Sequence, residues 1–235
     1  MTANPLDNPA WTSLNTLQAH LALGGDHARR YPAHLAPIAA VGLRDVAAID
    51  ELTTLVAPGG TVSLPSTLED LVPLVREPLR VLFTKRLVQM VCAQPAHAVS
   101  GDLHPSVLGE ADRDDMVALA GLTHPGPFES HTYTFGTYVG IRVNGVLAAM
   151  GGQRMHLPGY REVSAICTHP DFRGRGLARA IVSRLVTITF DEGLTPFLHV
   201  EEKNVGAQAL YESLGFVERA RLPLVVVERR RQVND

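Results

Sequence analysis

The stretch Ile166-Cys167-Thr168-His169-Pro170-Asp171-Phe172-Arg173-Gly174-Arg175-Gly176-Leu177-Ala178-Arg179 decides how the rest of the chain is read. It opens as the end of a strand over residues 162–168, which Pro170 stops because proline cannot donate to a sheet ladder. It closes as the start of a helix over residues 176–192. There Leu177, Ala180, Ile181, Leu185 and Ile188 recur at helical spacing, and Gly193 supplies the C′ residue. Two glycines at the junction let the backbone take conformations closed to other residues and pass close to a ligand. The helix start adds unpaired N–H groups and the positive end of a dipole. Arg173, Arg175 and Arg179 bring further positive charge. A cofactor bearing a pyrophosphate suits such a turn.

Working outward, the sequence reads as alternating strands and helices. Downstream lie a strand over 197–201, a short helix over 205–214 ended by Gly215, and one or two strands over 217–229. Upstream, residues 137–143 and 146–151 flank Asn144-Gly145, whose positive φ angles suit a two-residue hairpin turn. Before the hairpin come a helical stretch at 113–122 and a loop rich in His, Pro and Gly. Such alternation predicts an α/β (α+β) mixed sheet with helices on its faces.

The first part reads as a smaller α+β module without a chemical motif. Asn8 and Pro9 have the character of an N-cap and first helical residue, and Trp11, Leu14, Leu17 and Leu21 continue the pattern up to Gly24-Gly25. A strand at 37–41, a helix at 45–56 and strands at 61–64, 79–83 and 87–92 follow. The polar stretch 94–102 marks the expected boundary, giving modules 1–95 and 96–235.

The turn does not match either common nucleotide motif. A P-loop needs Gly-Lys-Ser/Thr at the helix start, and a dinucleotide fold needs GxGxxG after an early strand, with an acidic residue ending the next one. Here Asp191 and Glu192 end the same helix. The sequence does resemble another family. Arg173-x-x-Gly176-x-Ala178 is similar to the Q/R-x-x-G-x-G/A signature of the GNAT superfamily of N-acetyltransferases. Asn204, Ala207, Tyr211, Gly215 and Phe216 fit that family's N-x-x-A-x-x-x-Y-x-x-x-G-F helix without a gap. These matches fall within residues 100–235, and this half looks most like the glycine N-acyltransferase-like branch. The first part would fit a degenerate half-copy of the same fold.

The resemblance implies an enzyme that moves an acetyl or similar acyl group from acetyl-CoA to a primary amine by direct attack. Backbone groups of Ile166, Cys167 and Thr168 would pair with the pantetheine arm. Amides of Arg173, Gly174, Arg175, Gly176, Leu177, Ala178 and Arg179 would hold the pyrophosphate. Asn204 would cap its helix and touch the cofactor, and Tyr211 would protonate the departing thiolate as general acid. A backbone N–H near Cys167 would stabilise the oxyanion; a covalent role for the thiol itself is the lesser alternative. Glu162 is the first candidate for the base that takes the amine's proton, with Glu201 and His199 behind it. His124, His131 and His156 lie in stretches read as loops that could shape the acceptor pocket. No two of these histidines stand at ligand spacing with a third, so no metal is expected.

Composition sets the remaining expectations. With 46% hydrophobic and 19% charged residues and a net charge of -3, the chain can bury a core and carries no basic patch for nucleic acid. Arg229, Arg230 and Arg231 form only a short cluster. Cys92 and Cys167 make neither a disulfide framework nor a zinc site. No signal peptide is evident, and no apolar run is long enough to span a bilayer. A cytoplasmic monomer or homodimer acting on a small-molecule amine is expected, with a non-catalytic acyl-CoA-binding module and a nucleotide-binding module as the alternatives.

Overall fold

The computed structural model describes residues 4–65, 71–94 and 103–231. Helix α1 (Pro9–Asn15) starts at Pro9 as expected, but the side chain of Asn8 does not cap it; its amide donates to the Val41 carbonyl at 2.8 Å. The helix also stops short of Leu21. Gln18 leaves the helical pattern to bond the buried Arg154 carbonyl at 3.0 Å and to accept from Tyr31, so tertiary polar bonds override the apolar spacing. Strands β1 (Leu23–Gly24), β2 (Ala28–Arg30) and β3 (Ala39–Val41) form a small antiparallel sheet. Helix α2 (Val46–Leu55) packs against it, with Asp45 accepting the Ala48 N–H at 2.8 Å as N-cap.

Strand β4 (Thr61–Pro65) is followed by β5 (Leu79–Val91), one 13-residue strand where two shorter ones were expected. Thr84-Lys85-Arg86 reads as a polar break in the sequence. In the fold these side chains are exposed, and antiparallel pairing with the last strand along the whole of β5 keeps the backbone extended. The second part comprises β6 (Ser106–Leu108), α3 (Arg113–Thr123), β7 (Tyr138–Val143), β8 (Val146–Leu157), β9 (Tyr160–Thr168), α4 (Leu177–Asp191), β10 (Thr195–Glu201), α5 (Val205–Glu212) and β11 (Val217–Arg229). Asn144 and Gly145, at φ of 51° and 83°, make the β7–β8 turn. Strand β11 is a single bulged strand.

The main sheet runs β4-β11-β5-β10-β9-β8-β7-β6 and is antiparallel except between β9 and β10. Strand β5 therefore lies between β10 and β11. Residues 95–102, where the module boundary was expected, lie outside the described residues, and strands from both sides of them share this sheet. Alternation along the strands sends Val139 and Ala149 to the cluster that includes α4, and Tyr138 and Met150 to the one that includes α3. Helix α4 buries Leu177, Ile181, Val182 and Leu185 there, each contributing roughly 1.5–3 kcal/mol. Gly151 on β8 allows this approach: a Cβ there would lie 2.3 Å from the Ile166 Cδ1 and 2.8 Å from the Ile181 Cγ2.

Candidate active site

Strands β9 and β10 pair through only three residues each, Thr195 with Tyr160, Pro196 with Arg161 and Phe197 with Glu162. Beyond them β10 follows β5 while β9 follows β8, and a cleft opens where the two strands part. A bulge sharpens the parting. Between Gly152↔Ser164 and Met150↔Cys167, both Ala165 and Ile166 stand opposite Gly151, and Ala165 takes φ of 55°. An extra residue of this kind falls out of the ladder and turns the strand. The cleft encloses about 830 Å³.

One wall is β9 and the start of α4, formed by Ile166, Cys167, Thr168, Arg173, Gly174, Gly176, Leu177, Ala178 and Arg179. Gly174 and Gly176 have φ of 75° and 76°, and a Cβ at either position would meet nothing within 4 Å. The glycines therefore serve conformation rather than room. Gly176 is the N-cap of α4 and has no side chain to bond the first-turn amides, which stay free for an anion. The open space over the glycines and these uncapped amides fit a diphosphate. Arg173 and Arg179 line the cleft, and Arg179 also donates to the Ser213 Oγ at 2.8 Å. Arg175 does not line it. Its guanidinium lies over the Phe172 ring, 5.2 Å from the centroid, which leaves only its backbone for a ligand at the turn.

The neighbouring helix contributes Asn204 and Tyr211. Asn204 accepts the Ala207 N–H at 3.1 Å as N-cap of α5 and also lines the cleft. Tyr211 lines it too at 8% exposure, and burial pushes its phenol up to about 12, so it keeps its proton at neutral pH. Burial likewise pushes the Cys167 thiol up to about 11, against hydrogen bonds from Thr123 and the Met150 backbone that act the other way. A thiol in that range is a poor nucleophile.

Under the cleft floor runs a buried polar thread. Glu162 accepts two bonds from Arg154, at 2.8 and 2.9 Å, and one from His199 Nδ1 at 2.8 Å. Burial alone would raise this carboxyl. The Arg154 charge and the bonds from Arg154 and His199 outweigh it and hold Glu162 well below the usual carboxylate range. The far nitrogen of His199 meets Gln89 Nε2 at 3.1 Å. Gln89 is oriented by its other partners: its amide donates to the Leu6 carbonyl and its oxygen accepts from Arg219. In that arrangement His199 Nε2 accepts from the Gln89 amide and Nδ1 donates to Glu162. His199 and Arg154 line the cleft; Glu162 lies behind them.

Of the three loop histidines, His124 lines the cleft as the left-handed C-cap of α3. His131 instead packs edge-on to His34 and stacks on Tyr133. His156 lies within β8 rather than in a loop, because β8 runs six residues beyond the expected strand. The opposite wall was not anticipated. It includes Pro65, Phe83, Lys85, Leu87, Leu224 and Val226, brought in by β4, β5 and β11, together with Ile38, which precedes β3 and bridges to Ser63 of β4. The sequence signal for Arg154 is the Gln153-Arg154 pair inside a mostly apolar strand.

Two strands that part beside the uncapped start of a helix leave a cleft with room for an extended ligand and amides for an anionic group at one end. The chain belongs to the GNAT family of acetyltransferases. The Acetyltransferase (GNAT) family profile matches residues 106–216. A crystal structure described as an acetyltransferase from the GNAT family, from Novosphingobium aromaticivorans, is 33% identical with a TM-score of 0.88, covering 97% of this chain and 99% of that one. The N-alpha-acetyltransferase MAK3 of Arabidopsis thaliana is 28% identical over 131 residues, 51% of this chain and 68% of that protein. The L-amino acid N-acyltransferase MnaT of Escherichia coli is 32% identical over 103 residues, 42% of this chain and 60% of that protein. GNAT acetyltransferases use acetyl-CoA as co-substrate and act on amine acceptors, small molecules and proteins among them.

Proposed function

We propose that this protein transfers the acetyl group of acetyl-CoA to the primary amine of a small molecule by direct attack on the thioester. The observation that carries the reading is the junction of three features in one cleft: the parting of β9 and β10, the uncapped start of α4, and Tyr211. Backbone groups of Ile166, Cys167 and Thr168 hold the pantetheine arm, and the amides of residues 174–179 hold the diphosphate. A backbone N–H beside the Ala165 bulge donates to the oxyanion as the amine nitrogen bonds to the carbonyl carbon. The C–S bond then breaks and Tyr211 gives its phenolic proton to the thiolate.

The amine must first lose a proton. Glu162 is a weak base where it stands, since its oxygens are occupied and its proton affinity is low. We assign it the positioning of His199, whose Nε2 faces the task once the Gln89 amide releases it. The small-molecule acceptor draws support from the name of the Escherichia coli relative, an L-amino acid N-acyltransferase. The test is free-thiol release from acetyl-CoA across a panel of amines. Thiol release that rises with an added small amine supports the assignment; release that no amine stimulates overturns it.

A further inference from the structure

We propose that the first part of the chain builds the acceptor half of the cleft, and that this half selects a primary amine carried on an uncharged apolar body. The inference rests on the acetyl-transfer reading and goes beyond it by naming the acceptor class. Its basis is the register of β5. Phe83, Lys85 and Leu87 stand opposite Val226, Leu224 and Leu222 of β11, and Val226 and Leu224 stand opposite Ser63 and Pro65 of β4. Alternate residues of paired strands share one sheet face, so Phe83, Leu87, Leu224, Val226 and Pro65 form a mainly apolar surface, shared with Ser63 and with Lys85, whose ammonium lies 5.5 Å from the Phe83 ring centroid. That surface lines the same cleft as the α4 turn. It extends the sheet past β10, away from the diphosphate seat and beside His199.

Charge narrows the class further. Among the described residues lining the cleft, Glu201 is the one carboxylate, and it is already paired with Lys85. The cations on the same lining are Lys85, Arg154, Arg173 and Arg179. A polyamine or aminoglycoside would have to place its second and third ammonium groups against a mainly apolar wall where no carboxylate among the described lining residues is unpaired, which is costly. A single amine on an apolar body pays no such penalty. Desolvation by the same wall favours the neutral form of its nitrogen, the form that attacks.

The experiment compares 2-phenylethylamine and hexylamine with spermidine and kanamycin as acceptors, using the full chain and acetyl-CoA, with acetyl-CoA binding measured separately by calorimetry. The proposal expects the apolar amines to have kcat/KM at least about tenfold above the polycations. Phe83→Ala, at a half-exposed position that does not threaten folding, should raise the apolar amine's KM by about tenfold and leave acetyl-CoA affinity unchanged. Val226→Asp should narrow the gap between spermidine and phenylethylamine. Polycations preferred over apolar amines, with acetyl-CoA still bound, overturn this inference and leave acetyl transfer standing. Absence of acetyl-CoA binding overturns both. The apolar wall could instead hold a longer acyl chain. If Phe83→Ala lowers the use of octanoyl-CoA relative to acetyl-CoA while leaving acceptor KM unchanged, the acceptor assignment is wrong.

Discussion

The two walls of the cleft are built in different ways. The β9–α4 wall comes from one continuous run of sequence, and its properties belong mostly to backbone: positive φ at two glycines, uncapped amides, a bulge. The facing wall is gathered from β4, β5 and β11, far apart in the chain, and its properties belong to side chains that pairing register brings to one face. A short segment can announce the first kind of wall by itself. The second exists only after the sheet is assembled, and it is free to vary without disturbing the proposed seat of the cofactor. Substitutions should therefore divide, with those on the α4 side changing cofactor use and turnover and those on the β5 side changing the acceptor.

The largest effect should come from Tyr211→Phe, which removes the proposed acid and keeps the ring. The kcat should fall by about 10²–10⁴-fold with acetyl-CoA binding intact; unchanged turnover would remove Tyr211 from the chemistry. Glu162→Gln comes next. It leaves Arg154 buried without its counter-charge and should cost roughly 3–5 kcal/mol of stability, read by denaturant unfolding. The sign with pH follows from the lowered carboxyl. Because Glu162 titrates lower in the fold than its ordinary value of 4.5, its contribution is complete above that pH and is lost as the pH falls below it. The wild type should lose stability from about that pH downward more steeply than the variant.

A smaller change is expected for Gly176→Ala, which sets a Cβ at φ of 76°. It should cost about 1–2 kcal/mol at the turn, raising the KM for acetyl-CoA roughly tenfold and leaving acceptor preference alone. A shift in acceptor preference would erase the division between the walls. The smallest effect is reserved for Cys167→Ala. With its thiol pushed up to about 11 and its role limited to backbone and packing, turnover per folded enzyme should stay the same. A large fall in kcat would revive a covalent intermediate.

How far the sequence was legible follows the same division. The Asn144-Gly145 hairpin, the α4 turn and the α5 helix with Tyr211 were readable because each rests on neighbours in the chain. The single strand β5 was not, because Thr84-Lys85-Arg86 looks like a break until β11 is laid beside it. Glu162 was singled out by its place on β9. That it is buried between Arg154 and His199 depends on three strands meeting, which periodicity does not encode. The early end of α1 has the same cause: Gln18 answers to Arg154 and Tyr31, not to its own helix.

The central claim is that main-chain donors at the start of α4 grip the cofactor's diphosphate, and calorimetry of coenzyme A against pantetheine tests it most directly. Pantetheine keeps the thiol arm and lacks the diphosphate. At about 1.5–3 kcal/mol for each bond to a charged group, two such bonds predict coenzyme A binding roughly a hundredfold or more tighter. Equal affinity for the two ligands would contradict the account.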